Sequence, residues 1–183
     1  MGTVFKLDAS NGYAFSTLAN FNGENGLHPV AALTLDGAGN IYGTTEGGYG
    51  TGGTVFKLDA SNGYALSTLA SFTGAYGGPT YGTLCMDSVG NLYGTTEGAT
   101  GGCSVFKLDA SNDYALSTLA VFNGIGGPFD SSALAGLIMD GTGNLFGTTD
   151  YHRGTVFELT PTPEPTTVSL LTLGSLALLS RRK

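Results

Sequence analysis

Apolar and polar positions alternate over short runs along this chain, and each run stops at a cluster of Gly, Asn, Asp or Ser. In TVFKL (54–58) the Phe and Leu fall two apart on one face and Lys falls on the other, the period of a half-buried strand. Around this stretch the pattern predicts four strands, roughly 30–35, 40–45, 54–58 and 64–72. The phrases between them, Asp36-Gly-Ala-Gly-Asn40 and Asp59-Ala-Ser-Asn-Gly63, are rich in residues that tolerate positive φ, so each closes a tight turn.

The same pattern recurs along the chain. TVFKLDAS at Thr3 returns at Thr54, as SVFKLDAS at Ser104 and as TVFELT at Thr155, in steps of 51, 50 and 51 residues. A second phrase keeps pace: DGAGNIYGTTE from Asp36, DSVGNLYGTTE from Asp87 and DGTGNLFGTTD from Asp140. A unit of about 50 residues holding four antiparallel strands, with no helical crossover, is the pattern of a β-propeller blade. The fold class expected is therefore all-β, with residues 1–160 forming the array and Phe5, Phe56, Phe106 and Phe157 in equivalent buried places.

Strand counting complicates closure. The chain opens on the third strand of one unit and ends on the third strand of another, so two VFKL strands compete for one slot in a closed ring. The array is expected to be incomplete, with unpaired edges. Met1 directly precedes Gly2 of a repeat, without the charged and apolar regions of a secretory signal, which suggests the C-terminal part of a longer reading frame.

The phrases GNLYGTTEGG and GTVFKL resemble the GloVer-type tandem repeat, found in large bacterial surface proteins that often end in a sorting signal. That resemblance covers nearly all of residues 1–160. It implies a location and a fold more than an activity.

The last stretch changes character. Pro163 and Pro165 hold the backbone extended, and Pro165 suits the first turn of a helix that begins near Thr166. The uncharged run 166–180 would cover about 22 Å as a helix, short of a hydrocarbon core of about 30 Å, so it is a marginal span. Arg181, Arg182 and Lys183 close the chain and should stay on the cytoplasmic side. A core helix would show one polar face, and this segment has none.

Pro163-Glu164-Pro165, the apolar run and the basic stop together resemble the PEP-CTERM sorting signal of Gram-negative bacteria. The resemblance implies an exosortase as partner, recognition of Pro163, Glu164 and Pro165, a temporary hydrophobic helix in the inner membrane, and a final place at the cell surface or in an exopolysaccharide matrix. Residues 161–183 are then a separate sorting segment.

Composition fits an exported array. The net charge is −7, and three of the seven basic residues are the last three, so no basic stripe remains to neutralise phosphates. Nucleic-acid binding is excluded on that ground. Cys85 and Cys103 are isolated substitutions in one unit, which favours free thiols over a bridge and gives no zinc spacing. Asp36, Asp87 and Asp140, each four residues before an Asn, offer oxygens to calcium, yet each loop holds too few carboxylates, and a turn capped by its own Asp is favoured. Glu46, Glu97 and Asp150 recur after the GTT phrase without an assigned role. His28 and His152 are the only histidines, neither beside a catalytic motif, and Asp150-Tyr151-His152-Arg153 breaks the repeat in a way drift explains.

The residues thus point to a non-enzymatic surface or matrix protein without a cofactor, contacting exopolysaccharide or other surface proteins. The alternative is a propeller-type polysaccharide lyase or glycosidase.

Overall fold

The computed structural model describes residues 1–47, 52–73, 78, 81–97, 103–122, 135–149 and 154–161. The sorting segment, with Pro163, Glu164, Pro165, Arg181, Arg182, Lys183 and the expected helix from Thr166, lies outside the described residues. Among the described residues no helix is long and apolar enough to cross a membrane.

Among the described residues thirteen strands form four antiparallel sheets. The first holds β1 (Gly2–Asp8) and β2 (Ala14–Phe21). The second orders β3 (Thr34–Leu35), β4 (Ile41–Thr45), β5 (Thr54–Asp59) and β6 (Ala65–Ser71) in sequence. The third repeats that order with β7 (Cys85–Met86), β8 (Leu92–Glu97), β9 (Cys103–Asp109) and β10 (Ala115–Phe122). The fourth has three strands, β11 (Ile138–Met139), β12 (Leu145–Thr149) and β13 (Thr155–Leu159). The four-strand unit read from sequence is present, and among the described residues no ladder joins the first sheet to the last.

Two details of the strands differ from the pattern. The opening strand of each unit pairs over only two residues, because the chain before it (Pro29 in the second sheet) does not join the ladder. The closing strand carries a β-bulge: Val55 pairs with Ala70 but Phe56 with Thr68, leaving Leu69 as the extra residue, with Leu18 and Leu119 in the same place elsewhere. A bulge sharpens local twist, which lets flat-pattern strands stack as tapered sheets.

The core is a set of interfaces between consecutive sheets. Val4, Ala19 and Phe21 of the first sheet meet Phe56 and Leu58 of the second. Tyr42, Val55 and Phe72 then meet Leu84, Leu92, Phe106 and Leu108, and Cys103, Val105 and Phe122 meet Leu137, Leu145 and Phe157. Phe and Leu of the VFKL strand therefore face the preceding sheet, and Val faces the following one. Inner strands are covered on both sides rather than half buried, since Val55 shares the Lys57 face and is itself buried.

Each of these phenylalanines crosses a glycine in its own sheet and an aromatic ring in the sheet before. Phe106 pairs with Gly94 across the ladder, and a Cβ on Gly94 would come within 2.6 Å of the Phe106 ring. Gly43 and Gly147 stand in the same relation to Phe56 and Phe157. Ring centroids of Phe21–Phe56, Phe72–Phe106 and Phe122–Phe157 lie 5.0, 4.8 and 4.9 Å apart in tilted geometry, the arrangement aromatic quadrupoles favour.

The expectation of four equivalent buried phenylalanines fails at the first. Phe56, Phe106 and Phe157 are 0%, 1% and 9% exposed, whereas Phe5 is 53% exposed. Among the described residues no ring from another sheet packs on Phe5 as Phe21, Phe72 or Phe122 packs on its partner, and Phe5 stacks on Phe15 of its own sheet at 5.5 Å.

This difference sets the first prediction. Phe106→Ala should destabilise the chain by about 3–5 kcal/mol, as for a large core truncation, while Phe5→Ala should cost about 0.5 kcal/mol, as at a surface site. Urea denaturation of the two variants checks it; equal shifts in midpoint would show that the ring between sheets is not what holds them.

Candidate functional site

At one end of the sheets lie the Asp-x-x-Gly-Asn turns. Asp36 Oδ1 accepts from the Ala38 and Asn40 amides at 2.9 and 2.8 Å, and Oδ2 from Asn40 Nδ2 at 2.8 Å and the Tyr42 hydroxyl at 3.1 Å. Asp87 repeats the set with Val89, Asn91 and Tyr93. Burial alone would raise both carboxyls, and the donors outweigh it and hold them below their usual range. Asp140, with the Thr142 hydroxyl as its strongest donor, is held at about 2. Four donors occupy each Asp36 and Asp87 carboxylate, so these oxygens serve the turn, as the sequence reading favoured over calcium.

The asparagines carry the turn across the sheet. Asn40 Oδ1 accepts from the Ala60 amide at 3.0 Å and Asn91 Oδ1 from Ala110 at 2.9 Å, tying this turn to the 3-10 turn after the VFKL strand. In the fourth sheet Pro161 stands in the matching position, and proline has no N–H to give. Beyond each 3-10 turn a tyrosine sits at positive φ: 62° for Tyr13, 62° for Tyr64 and 56° for Tyr114. The strain aims it at the preceding sheet, where the Tyr114 hydroxyl lies 3.1 Å from that of Tyr42. One interface later Tyr93, pushed up to about 12 by burial and Asp87, borders a groove of about 400 Å³ lined also by Lys107, Leu119, Leu145, Leu159 and Pro161.

At the opposite end of the strands the repeated acids follow buried hydroxyl pairs. Thr45 and Thr54 are 2.8 Å apart, Thr96 and Ser104 2.7 Å, and Thr149 and Thr155 2.7 Å. These pairs fix the ends of β4 and β8, from which Glu46 and Glu97 project. His28 Nδ1 lies 3.2 Å from Glu46 Oε2, and the Glu46 amide donates to the His28 carbonyl at 3.2 Å. His28 adopts φ 52°, a left-handed conformation uncommon for a residue with a side chain. Tyr81, from the segment before β7, has its phenol raised by burial and by the charges of Glu46 and Glu97. Its phenol remains a hydrogen-bond donor at neutral pH, in the field of both carboxylates. Backbone strain and a His–carboxylate pair, with the Tyr81 phenol in the field of the same carboxylate, make this the strongest candidate site among the described residues.

Sequence reasoning treated His28 as a lone histidine, because Glu46 stands 18 residues away and only the fold of the loop before β3 joins them. Tyr81 replaces Val30 and Leu134 of the other units, an asymmetry visible in the sequence that pointed here. Asp150, Tyr151, His152 and Arg153 lie outside the described residues. Cys85 and Cys103 are not joined in a disulfide. The ladder places Cys85 beside Tyr93 and Cys103 beside Glu97, four residues along β8, about 13 Å at strand rise and too far to bridge. Burial pushes the Cys85 thiol up. Among the described residues no group of three or more His, Cys, Asp or Glu is placed to hold a metal ion.

The sequence profile of the Gloeobacter/Verrucomicrobia repeat matches residues 1–176. The chain belongs to that family. No curated protein matches it in sequence. Among solved structures a luciferin-regenerating enzyme is similar over 80% of this chain and 47% of its own, at 15% identity and TM-score 0.52. A protein described as a gluconolactonase is similar over 84% of this chain and 55% of its own, at 18% identity and TM-score 0.48. The chain spans about half the length of either. The first likeness shows a propeller-like fold for the GloVer array. It also corrects the expectation of a non-enzymatic protein: that expectation rested on the lack of a catalytic motif beside His28 or His152, and the similar fold is found in a protein named as an enzyme.

The turn chemistry yields a pH prediction. A carboxyl held below its unfolded value, about 3.9 for Asp, contributes stability above that value and loses it as pH falls through the folded one. Thermal stability should therefore drop between pH 4 and the value of about 2 held by Asp140. The double variant Asp87→Asn, Asp140→Asn should lose less on going from pH 6 to pH 3 than the parent does, measured as the shift in Tm; an unchanged loss would remove these turns from the acid response.

Proposed function

We propose that this chain is the propeller-like part of an exported cell-surface or matrix protein whose C-terminal segment is a PEP-CTERM signal handled by an exosortase. The observation that carries this reading is the order Pro163-Glu164-Pro165, uncharged run 166–180, then Arg181, Arg182 and Lys183. Glu164 is the only charge between Glu158 and Arg181, so it is the single ionic handle a recognising enzyme has before the membrane. The helix is a transient anchor in the inner membrane, and the array is left outside, where Glu46, Glu97, Tyr81 and His28 offer acceptors and a donor to sugar hydroxyls of an exopolysaccharide.

A second reading is a lyase or glycosidase acting on that polysaccharide, and the His28–Glu46 pair favours it. A carboxylate on Nδ1 orients an imidazole for proton transfer through its other nitrogen. Release of new reducing ends from exopolysaccharide, lost in both His28→Gln and Glu46→Gln, is the expected result on this reading; an inactive parent chain sinks it.

Sorting itself is tested in a host with the matching exosortase and an export signal fused ahead of Met1. The parent should lose its C-terminal peptide and leave the inner membrane, and Glu164→Ala should keep the peptide and accumulate there. Mass spectrometry of the C-terminus decides, since an intact Lys183 in both proteins would rule the sorting signal out.

A further inference from the structure

The loop that carries His28 from the first sheet to Glu46 of the second is held by contacts of its own. Asn25 clamps its start: Oδ1 accepts from the Asn22 amide at 3.0 Å, and Nδ2 donates to the Asn20 carbonyl at 3.0 Å. Asn22 Oδ1 in turn accepts from the Glu24 amide at 3.0 Å, and the Gly23 amide donates to the Gly26 carbonyl at 3.1 Å. Gly26 is buried at φ 114° and lies against the hydroxyl pair that joins the end of β4 to the start of β5. A Cβ on Gly26 would come within 2.6 Å of Thr45 Oγ1 and 2.9 Å of Thr54 Oγ1. Glycine is required there twice over, by the backbone angle and by the close approach. Two residues on, the His28 carbonyl accepts from the Glu46 amide, and its ring meets the Glu46 carboxylate. One period of 51 residues later Tyr76 and Pro79 stand in the columns of Asn25 and His28, so the clamp and the histidine are both absent from the second unit.

We propose that Asn25 and Gly26 are positioning residues for the His28–Glu46 pair: they hold His28 Nδ1 on the carboxylate, so that the neutral ring keeps its proton on Nδ1 and presents Nε2 as the proton acceptor. This rests on the reading of the pair as a proton-transfer group. An ionised carboxylate only accepts, so the nitrogen that faces it must donate. Which ring nitrogen carries the proton is set by that bond. The His28 side chain is 54% exposed, so burial does not orient the ring. An exposed ion pair is too weak to order two side chains by itself. The path of the backbone does it instead, fixed by the asparagine clamp before Gly26 and by the seat of Gly26 on Thr45 and Thr54.

Nitrogen NMR of the histidine rings in the full chain, kept in mild detergent and in alkaline buffer where imidazole is neutral, reads the tautomer without any substrate. Loss of a signal in His28→Gln assigns the ring. The parent should show Nδ1 protonated and Nε2 bare. Glu46→Ala, Asn25→Ala and Gly26→Ala should each shift the proton to Nε2, the form a free imidazole prefers, with circular dichroism unchanged. Gly12→Ala strains a positive-φ turn at the other end of the first sheet, where a Cβ meets nothing, and should keep the parent's tautomer. If Gly26→Ala does not fold, Asn25→Ala decides alone, since Asn25 is only half-buried. Retention of the Nδ1 proton in Asn25→Ala overturns the proposal. So does an equal shift in Gly12→Ala, which would make any strain in the first sheet sufficient, or a parent that already carries its proton on Nε2. A parent with the Nδ1 proton that releases no reducing ends from exopolysaccharide sinks the enzymatic reading alone and supports the positioning.

Discussion

The phenylalanine of the second, third and fourth VFKL-type strands, seated over a glycine and against the aromatic ring that ends the preceding sheet, is the contact on which the array depends. It joins two levels at once. Within a sheet it needs a glycine opposite, because any Cβ there would collide with the ring. Between sheets it needs a neighbour, and the two requirements together set both the YGTT phrase and the spacing of about 50 residues. A full side chain of this size removed from water contributes about 1.5–3 kcal/mol, so each interface holds its neighbours by a few such groups and not by any charge network. The ion pairs of the described residues are short-range Lys–Asp contacts along one strand and the His28–Glu46 pair, on a largely exposed histidine.

The polar chemistry divides between the two ends of the strands. At the turn end of the second and third sheets the Asp and Asn side-chain oxygens are engaged: Asp holds the loop, Asn reaches across to the 3-10 turn, and the tyrosine beyond it bends into a left-handed conformation to meet the previous sheet. The closed network makes that end structural. At the other end, hydroxyl pairs stop the ladder where Glu46 and Glu97 stand, and Glu46 meets a histidine that the other units do not have in that column. Function follows from this asymmetry more than from the repeat, because identical units cannot by themselves bring unlike groups together.

Much of this was legible in the sequence for a physical reason: period-2 alternation, Asp/Asn/Gly turns and a fixed repeat are local signals, and they gave the strand order, the turns and the open ends. What was not legible is contact between units. Phe5 looks the same as Phe106 in the chain, and only the missing neighbour exposes it. Val55 reads as a solvent-side residue paired with Lys57 until the next sheet covers it. The bulge at Leu69 leaves no trace in a simple alternation, and His28 meets Glu46 only through the path of a loop.

Each sheet touches only the sheets next to it, through two faces of constant chemistry. The array therefore has no privileged length. A duplication of one period in the gene inserts a unit whose backward face fits the sheet before it and whose forward face fits the sheet after it, with no compensating change anywhere else. A lineage carrying such a gene can lengthen or shorten the array by unequal recombination and keep each product folded, while novelty accumulates in the strand-end loops of single units.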